Sequence, residues 1–333
     1  MHIDEPMLAD TRRFNRLLAW APRLKVSNMI VPRIGQVLLR LVQIGADGRM
    51  RRRGLSVERI VVQADGLMVQ VRVLRRAGPV RGVVLDIHGG GWVIGNPAMN
   101  DRLNADTVAA CGVAVVSVDY RLATRATVGD MIDDCCVAAR WLLAGALPEY
   151  AQLPVIVVGE SAGAHLVVAA LQRLRATPGL LARVAGAVMY YGVYDLAGTA
   201  SVRNAGPDTL VLDGPAMLAG LRMLTPGMDD AARRHPAVSP LFGPLDGMPP
   251  ALMVSGGRDP LRDDTLALAH RWRTVAEVEL NLVPEAAHGF IHFPVQIGRA
   301  ACAHTHRWIN ARLERCTDSV CVHAAADLDR PPA

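Results

Sequence analysis

Apolar and polar positions follow two different patterns along the chain, with a change near residue 57. Beyond that residue, short β-branched runs alternate with longer amphipathic segments, which is typical of a parallel sheet with crossover helices. The short runs predict eight strands, at about 58–63, 67–74, 82–87, 113–118, 154–158, 184–191, 251–255 and 278–283. The longer segments predict helices at about 98–111, 128–145, 162–175, 261–275 and 294–314.

The predicted strands differ in how their apolar residues are arranged. Several are apolar on both faces, so we expect central strands that are covered by helices on each side. The first two strands flank the dipeptide Asp65-Gly66, which predicts a hairpin. The fold class is therefore α/β, with an antiparallel first pair and a mostly parallel remainder.

The first 50 residues lie outside this alternation. They read as amphipathic helices, in which Ile34, Leu38, Leu41 and Val42 are spaced so that they lie on one face. We interpret this segment as cover for the sheet domain and expect the apolar face to pack on the body.

Two further segments do not fit the strand and helix pattern. Residues 196–248 carry clusters of Pro, Gly and Asp around one predicted helix near 215–224, and we interpret them as additional cover. Residues 316–333 are rich in Ala, Asp and Pro, which predicts a flexible tail.

Composition excludes several classes of protein. Of the 333 residues, 51% are hydrophobic and 20% are charged, which is typical of a globular domain. No apolar run approaches the roughly 20 residues of a membrane-spanning helix. The net charge of +5 comes from scattered arginines, with Lys25 the single lysine and no interleaved aromatic residues, which argues against nucleic acid as a partner.

The N-terminal residues and the cysteines indicate the cellular compartment of the protein. Asp4, Glu5 and Asp10 precede any apolar stretch, which is not the order of a secretion signal. The six cysteines show neither a Cys-x-x-Cys pair nor a regular spacing, so we expect reduced thiols in a cytoplasmic protein and no metal site.

The segment Gly159-Glu160-Ser161-Ala162-Gly163 lies between a predicted strand and a predicted helix. A serine on such a sharp turn needs small neighbours two residues away on either side, because bulkier ones would collide where strand and helix meet. This is the pattern of a nucleophile elbow. The alternative interpretation is a glycine turn in which the serine caps the helix.

A second glycine-rich segment, His-Gly-Gly-Gly-Trp at 88–92, directly follows the predicted strand 82–87. Consecutive glycines cost backbone entropy, which suggests that the main chain passes close to a ligand there. The N–H groups of Gly90 and Gly91 could join that of Ala162 to hold an oxyanion. The alternative is a flexible loop.

A serine hydroxyl needs a base, and ten histidines compete for that role. We favour His288, because it follows the last predicted strand at the sheet edge where the elbow lies. His292 is the nearest rival, although it lies at a helix entrance. His165 is expected to pack inside the elbow helix, and His88 to hold the glycine loop by hydrogen bonds.

The base in turn needs an orienting carboxylate. Asp259 is preferred, because it lies in a tight loop directly after the predicted strand 251–255. Asp263 lies a full turn into the next helix. Asp195 stays an alternative, because the chain order Ser, Asp, His is satisfied by either carboxylate.

Taken together, these segments resemble the hormone-sensitive-lipase-like family of bacterial carboxylesterases, which have the α/β-hydrolase fold. The resemblance covers about residues 55–315. The matching blocks are His88-Gly-Gly-Gly-Trp92, Asp119-Tyr-Arg-Leu-Ala123, Gly159-Glu-Ser-Ala-Gly163, Asp259-Pro-Leu-Arg-Asp263 and His288-Gly-Phe290. Glu160 departs from the family pattern, in which Asp is commoner.

The resemblance implies an enzyme that hydrolyses short- to medium-chain esters through an acyl-enzyme intermediate. It implies Ser161 as nucleophile, His288 as base and Asp259 as its partner, with Gly90, Gly91 and Ala162 as oxyanion donors. It also implies a helical cap formed by residues 1–50 and 196–248 over a catalytic domain at 51–315. Relatives are often homodimers, and no cofactor is implied.

Three aromatic residues are candidates for the walls of the substrate pocket. Trp92, Tyr191 and Tyr194 are predicted to line the pocket, although aromatic residues often simply fill the core.

Other functions are compatible with the sequence. An amidase or formamidase would use the same Ser161, His288 and Asp259, whereas a noncatalytic protein of this fold usually lacks one of them. A membrane-surface protein is a further alternative, resting on the basic amphipathic stretch 12–40.

Overall fold

Eight strands form one mixed sheet at the centre of the molecule. A computed structural model describes residues 1–25 and 30–328, and residues 317–328 by their backbone alone. The strands are β1 (Ser56–Ala64), β2 (Leu67–Arg75), β3 (Val83–Ile87), β4 (Ala114–Asp119), β5 (Val155–Glu160), β6 (Val184–Tyr190), β7 (Ala251–Gly256) and β8 (Val278–Val283). Their order is β1-β2-β4-β3-β5-β6-β7-β8.

Strand direction follows the sequence pattern. Asp65 and Gly66 both have positive φ, 53° and 76°, and join β1 to β2 in a two-residue turn. β2 also pairs antiparallel with β4, whereas all the other pairings are parallel. The predicted eight-stranded, mostly parallel α/β sheet is confirmed.

Helices cover both faces of the sheet. They are α1 (Glu5–Leu18), α2 (Ile30–Val42), α3 (Ala46–Arg52), α4 (Asp101–Cys111), α5 (Val128–Leu143), α6 (Ala162–Leu174), α7 (Pro178–Leu181), α8 (Ala200–Arg203), α9 (Gly214–Leu224), α10 (Asp230–Arg233), α11 (Arg262–Trp272) and α12 (Gln296–Leu328). α5, α6 and α11 contribute to the apolar core on one face, and α4 and α12 to the core on the other. The central strands are buried on both faces, as in β3, where all five residues are buried.

The sheet order places the loops that follow β3, β5, β7 and β8 at one edge of the sheet. β3 and β5 are neighbours, with Ile87 opposite Gly159, so the loops that follow them leave the same edge of the sheet. β7 and β8 are also parallel neighbours, with Gly256 opposite Val283. Their following loops carry Asp259 and His288 at that same edge.

Three features differ from the sequence expectations. The last helix continues to Leu328, about four turns beyond its predicted end near residue 314, so the expected tail at 316–333 is in part helical. The rest of the expected tail, 329–333, lies outside the described residues. The segment 196–248 contains three helices, α8, α9 and α10, where one was predicted.

The third difference concerns α2. Ile34, Leu38, Leu41 and Val42 are 56% to 78% exposed, so the apolar face of α2 points away from the body on which it was expected to pack. Across the part of the chain that the structure describes, no helix is both long enough and apolar enough to cross a membrane.

Candidate active site

Ser161 lies on a strained turn between β5 and α6. Its backbone has φ 51° and ψ −121°, a conformation that non-glycine residues rarely adopt, and its N–H donates to the carbonyl oxygen of Tyr190 at 2.9 Å. Such strain persists only where the surrounding structure imposes it, and it is concentrated at functional sites. The turn places the serine side chain against a cavity at the sheet edge.

Two glycines make this turn possible. A Cβ atom at Gly159 would lie 2.6 Å from the carbonyl oxygen of Gly163. A Cβ atom at Gly163 would lie only 2.0 Å from the carbonyl oxygen of Ile87 and 2.5 Å from that of His88. The strand, the helix and the glycine loop therefore meet too closely for any side chain at either position.

Ser161, His288 and Asp259 form a continuous chain of hydrogen-bonding atoms. The Nε2 atom of His288 is 3.0 Å from the Oγ atom of Ser161, and its Nδ1 atom is 2.8 Å from the Oδ2 atom of Asp259. The Asp259 side chain is fully buried, and its other oxygen accepts from the N–H of Leu261 at 2.8 Å. These contacts fix the imidazole with one nitrogen toward the serine and the other toward the carboxylate.

The competing carboxylates have other partners. Asp195 accepts from the N–H of Ala197 at 2.8 Å and from the guanidinium of Arg234 at 3.2 Å. Asp263 accepts from the N–H of Ser201 at 3.0 Å. Neither is hydrogen-bonded to His288, whereas Asp259 is.

The glycine loop after β3 lies beside Ser161. Gly90 and Gly91 have φ of 106° and 59°, and a Cβ atom at Gly90 would lie 1.9 Å from the carbonyl oxygen of Ile94. Both glycines line the cavity with Ser161, and their N–H groups donate no hydrogen bond to any described residue. Ala162, the third predicted donor, is fully buried at the first position of α6 and is not among the lining residues.

His88 holds the glycine loop, as expected. Its Nδ1 atom is 2.8 Å from the carbonyl oxygen of Gly89, and its ring stacks on Tyr120 with centroids 4.3 Å apart. The hydroxyl of Tyr120 donates to the carbonyl oxygen of His88 at 2.9 Å. Burial lowers the pKa of His88 to about 4, so the ring is neutral near pH 7.

The other two histidines also have fixed partners. His165 is buried in α6, where its Nε2 atom donates to the carbonyl oxygen of Val238 at 2.8 Å. Its ring meets Trp92 edge-on with centroids 5.2 Å apart. His292 lines the cavity, but its Nε2 atom is 2.6 Å from Oε2 of Glu160 and is not bonded to Ser161.

Glu160, Tyr191 and His292 form a polar cluster that the sequence analysis missed. The Tyr191 hydroxyl donates to Oε2 of Glu160 at 2.8 Å. Burial disfavours ionisation of Glu160, but the His292 charge and the hydrogen bonds outweigh it and lower its pKa to about 2. Burial likewise opposes charge on His292, yet the carboxylate prevails and raises its pKa. The sequence feature that could have indicated this cluster is Glu160 itself, which stands where Asp is commoner in the family.

A cavity of about 250 Å³ opens over these residues, and its lining is mainly apolar. The sheet edge contributes Trp92, Ile94, Tyr191, Val193 and Leu261. The N-terminal segment and the segment 196–248 contribute Leu24, Val211, Leu212, Ala216, Met217, Leu221 and Leu224. Leu24 and Leu212 pair their main chains in an isolated β-bridge, so the two covering segments meet over the cavity.

The three predicted wall residues fall in different places. Trp92 and Tyr191 line the cavity, and the Tyr191 ring meets His288 edge-on with centroids 4.7 Å apart. Tyr194 is fully buried in the core and is not among the lining residues. Its N–H donates to Oδ1 of Asp264 at 2.6 Å, and its ring packs so closely on Gly192 that a Cβ there would lie 2.1 Å from the hydroxyl oxygen. These contacts hold Tyr194 in the core, so its prediction as a wall is corrected.

Comparison with known proteins agrees with this architecture. Residues 84–292 match a protein family described as having the alpha/beta hydrolase fold. The chain is 32% identical over 262 residues to carboxylesterase NlhH of Mycobacterium tuberculosis, which covers 74% of this chain and 79% of that protein.

Solved structures are also similar. Esterase LipW from Mycobacterium marinum has a TM-score of 0.79 at 26% identity, covering 92% of this chain and 96% of that chain. An esterase from the bacterial hormone-sensitive lipase family has a TM-score of 0.73 at 25% identity, covering 94% of this chain and all of that chain.

The fold and the site define an α/β-hydrolase, and the match extends over more than half of the sequence. The chain belongs to this family, in its branch of carboxylesterases similar to hormone-sensitive lipase. The family, fold class and enzyme class expected from the sequence are confirmed.

Proposed function

We propose that this protein hydrolyses carboxylic esters of short to medium acyl chain length, with Ser161 as nucleophile, His288 as general base and acid, and Asp259 as the group that orients His288. The observation that carries the proposal is the hydrogen-bonded chain Ser161–His288–Asp259 at the floor of an apolar cavity. The esterases among its relatives support an ester as the substrate.

The reaction proceeds by acyl transfer. Oγ of Ser161 attacks the ester carbonyl carbon while Nε2 of His288 takes its proton, and the carbonyl oxygen becomes an oxyanion. The N–H groups of Gly90, Gly91 and Ala162 stabilise that charge, each typically contributing about 2.7 to 4 kcal/mol to the transition state. The C–O bond breaks as His288 returns the proton to the alcohol, and water repeats the sequence on the acyl-enzyme. No cofactor is needed.

The cavity supports a small acyl group. Its volume of about 250 Å³ lies just below the range of about 300–1,000 Å³ that is usual for small-molecule sites. Residues 1–50 and 196–248 act as the cap of a catalytic domain at 51–315, since both contribute side chains to the roof. Cytoplasmic location and assembly into a homodimer stay predictions.

Hydrolysis of p-nitrophenyl esters of increasing acyl length tests the proposal. We expect the highest kcat/KM at short to medium length and a fall of about 10⁶-fold in kcat for Ser161→Ala. Ser56→Ala is the matched control, because Ser56 is exposed and its hydroxyl donates to the carbonyl oxygen of Arg75. A Ser161→Ala protein that keeps more than about a thousandth of the rate would disprove the nucleophile. Faster cleavage of p-nitroacetanilide than of p-nitrophenyl acetate would indicate an amidase instead.

A further inference from the structure

The outward face of α2 is unusually apolar. Five of its large side chains between residues 34 and 42 are more than half exposed: Ile34 57%, Val37 58%, Leu38 57%, Leu41 56% and Val42 78%. A surface helix of a globular protein normally directs its apolar stripe at the core and its polar residues at solvent. A contiguous exposed apolar patch of this kind marks an interaction surface.

The inward face of α2 carries polar contacts instead. Gln36 exchanges two hydrogen bonds with the main chain of Gly95, each 2.8 Å long. Gln43, just after the helix, accepts from the side chain of Asn96 at 2.5 Å. The two glutamines attach the helix to the loop that follows Trp92. The helix is therefore attached through the side that carries Gln36 and Gln43, and its exposed apolar side chains are left for a partner.

The segment that contains α2 is basic, although Arg12 pairs with Glu5 and Glu285. Residues 11–46 contain seven basic residues and no acidic residue. Arg13, Arg16 and Lys25 are exposed and form no ion pair with any described residue. Trp20, which follows α1, is 91% exposed, and tryptophan is a side chain favoured at the boundary between water and lipid.

We propose that the apolar face of α2, together with Trp20 and the basic residues of this segment, docks on an anionic phospholipid surface. An interfacial helix buries an apolar face among the acyl chains while basic residues meet the acidic headgroups, and this segment has both parts. The helix of 13 residues lies in the interface and is too short to cross a bilayer. Leu24, four residues after Trp20, lines the active-site cavity and is 41% exposed.

Charge favours lipid over a second copy of the chain. A symmetric dimer through α2 would place the same patch of both copies in contact and bring the exposed Arg33 and Arg40 of the two helices together. Like charges in contact across an interface oppose association, whereas an anionic bilayer neutralises them. Self-association is therefore an outcome that the experiment has to distinguish.

Vesicle co-sedimentation of the full chain tests the proposal, with phosphatidylcholine alone compared with equal parts of phosphatidylcholine and phosphatidylglycerol. We expect binding to the anionic vesicles that weakens as salt is added. The double variant Leu38→Gln/Leu41→Gln should lower the vesicle partition coefficient by roughly 100-fold, because each substituted leucine should lower it by about tenfold. Each of Arg13→Gln, Arg16→Gln and Lys25→Gln should lower it by about fivefold.

The matched control is Val61→Gln/Met68→Gln on the β1–β2 hairpin, where the two side chains are 60% and 75% exposed. This control should bind vesicles like the wild type. All variants should keep p-nitrophenyl acetate hydrolysis and thermal stability, since none of these side chains lines the cavity. If the α2 double variant is unstable, Trp20→Ser serves in its place, with a loss of about tenfold expected.

Equal binding by the wild type and the α2 variant overturns the proposal, as does wild-type protein that fails to bind the anionic vesicles. Sedimentation velocity tests whether α2 instead mediates self-association. A concentration-dependent dimer that the α2 substitutions dissociate, without vesicle binding, would assign the face to a second copy of the chain.

Discussion

The side-chain amide of Asn15 donates a 2.8 Å hydrogen bond to the main-chain oxygen of Glu285, three residues before His288. Glu285 has φ 61°, and its carboxylate accepts from Arg12 at 3.1 Å. Two residues of α1 therefore hold a strained position at the start of the loop that carries His288. The N-terminal segment thus supports the geometry of His288 in addition to covering the cavity.

We expect Asn15→Ala to lower both stability and activity. Losing the donor leaves a carbonyl oxygen without its partner, which costs about 1–3 kcal/mol of unfolding free energy. The loop with His288 should also become less ordered, so kcat should fall more than KM rises. Asn310→Ala is the control, because the side-chain amide of Asn310 donates to the carbonyl oxygen of Ala110 and accepts from Arg81, neither of which lies in the loop with His288. Equal kcat in both variants would show that α1 does not position the base.

The choice between two carboxylates is directly testable. Asp259→Asn should lower kcat by about 10⁴-fold, because the amide would hold the imidazole of His288 in the wrong tautomer. Asp195→Asn should change kcat far less, since Asp195 pairs with Arg234 instead. Steady-state kinetics on one short p-nitrophenyl ester compares the two. A larger loss in the Asp195 variant would reverse the assignment.

A methyl group at Gly163 should destabilise the fold. The new Cβ would lie 2.0 Å from the carbonyl oxygen of Ile87, so β3 and α6 would have to separate. We expect Gly163→Ala to reduce the free energy of unfolding by about 3 kcal/mol or more. Gly179→Ala is the matched control. No atom of the described residues beyond its chain neighbours lies within 4 Å of the added Cβ, so stability should change by less than about 1 kcal/mol. Urea denaturation measures both, and similar midpoints would contradict the steric argument.

The Glu160–His292 pair predicts a pH-dependent contribution to stability. The raised pKa of His292 means that its contribution is complete below its ordinary pKa of 6.5 and is lost as pH rises through the raised value. Lowering the Glu160 pKa from 4.5 to about 2 means that its contribution is present above 4.5 and is lost as pH falls toward 2. The pair therefore stabilises the fold most between about pH 4.5 and 6.5.

Thermal unfolding of His292→Gln checks this window. The difference in Tm from the wild type should be largest near pH 5.5 and should shrink as pH rises through the raised pKa of His292. His270→Gln, at an exposed position on α11, should show a small difference that does not follow this profile. A constant difference for His292→Gln would mean that the ion pair contributes little to stability.

Local sequence determined much of the fold and of the site. The alternation of β-branched and amphipathic segments predicts the eight strands, because the side-chain periods of 2 and 3.6 residues are local properties. The spacing of Gly159, Ser161 and Gly163 predicts the elbow, because its requirement for small residues is a steric effect within five positions. His288 could be selected because strand direction decides which edge of the sheet each loop leaves.

Tertiary packing decided the remainder. Whether Asp259 or Asp195 meets His288 depends on which loop brings its carboxylate within 3 Å, and one residue's identity carries no information about that distance. Tyr191 and Tyr194 differ in role because Asp264, about 70 positions away, holds the main chain of the second in the core. The apolar face of α2 points outward because Gln36 and Gln43 bind the loop at 95–96. Periodicity identifies an amphipathic helix, but only contacts between distant segments decide which side faces the protein.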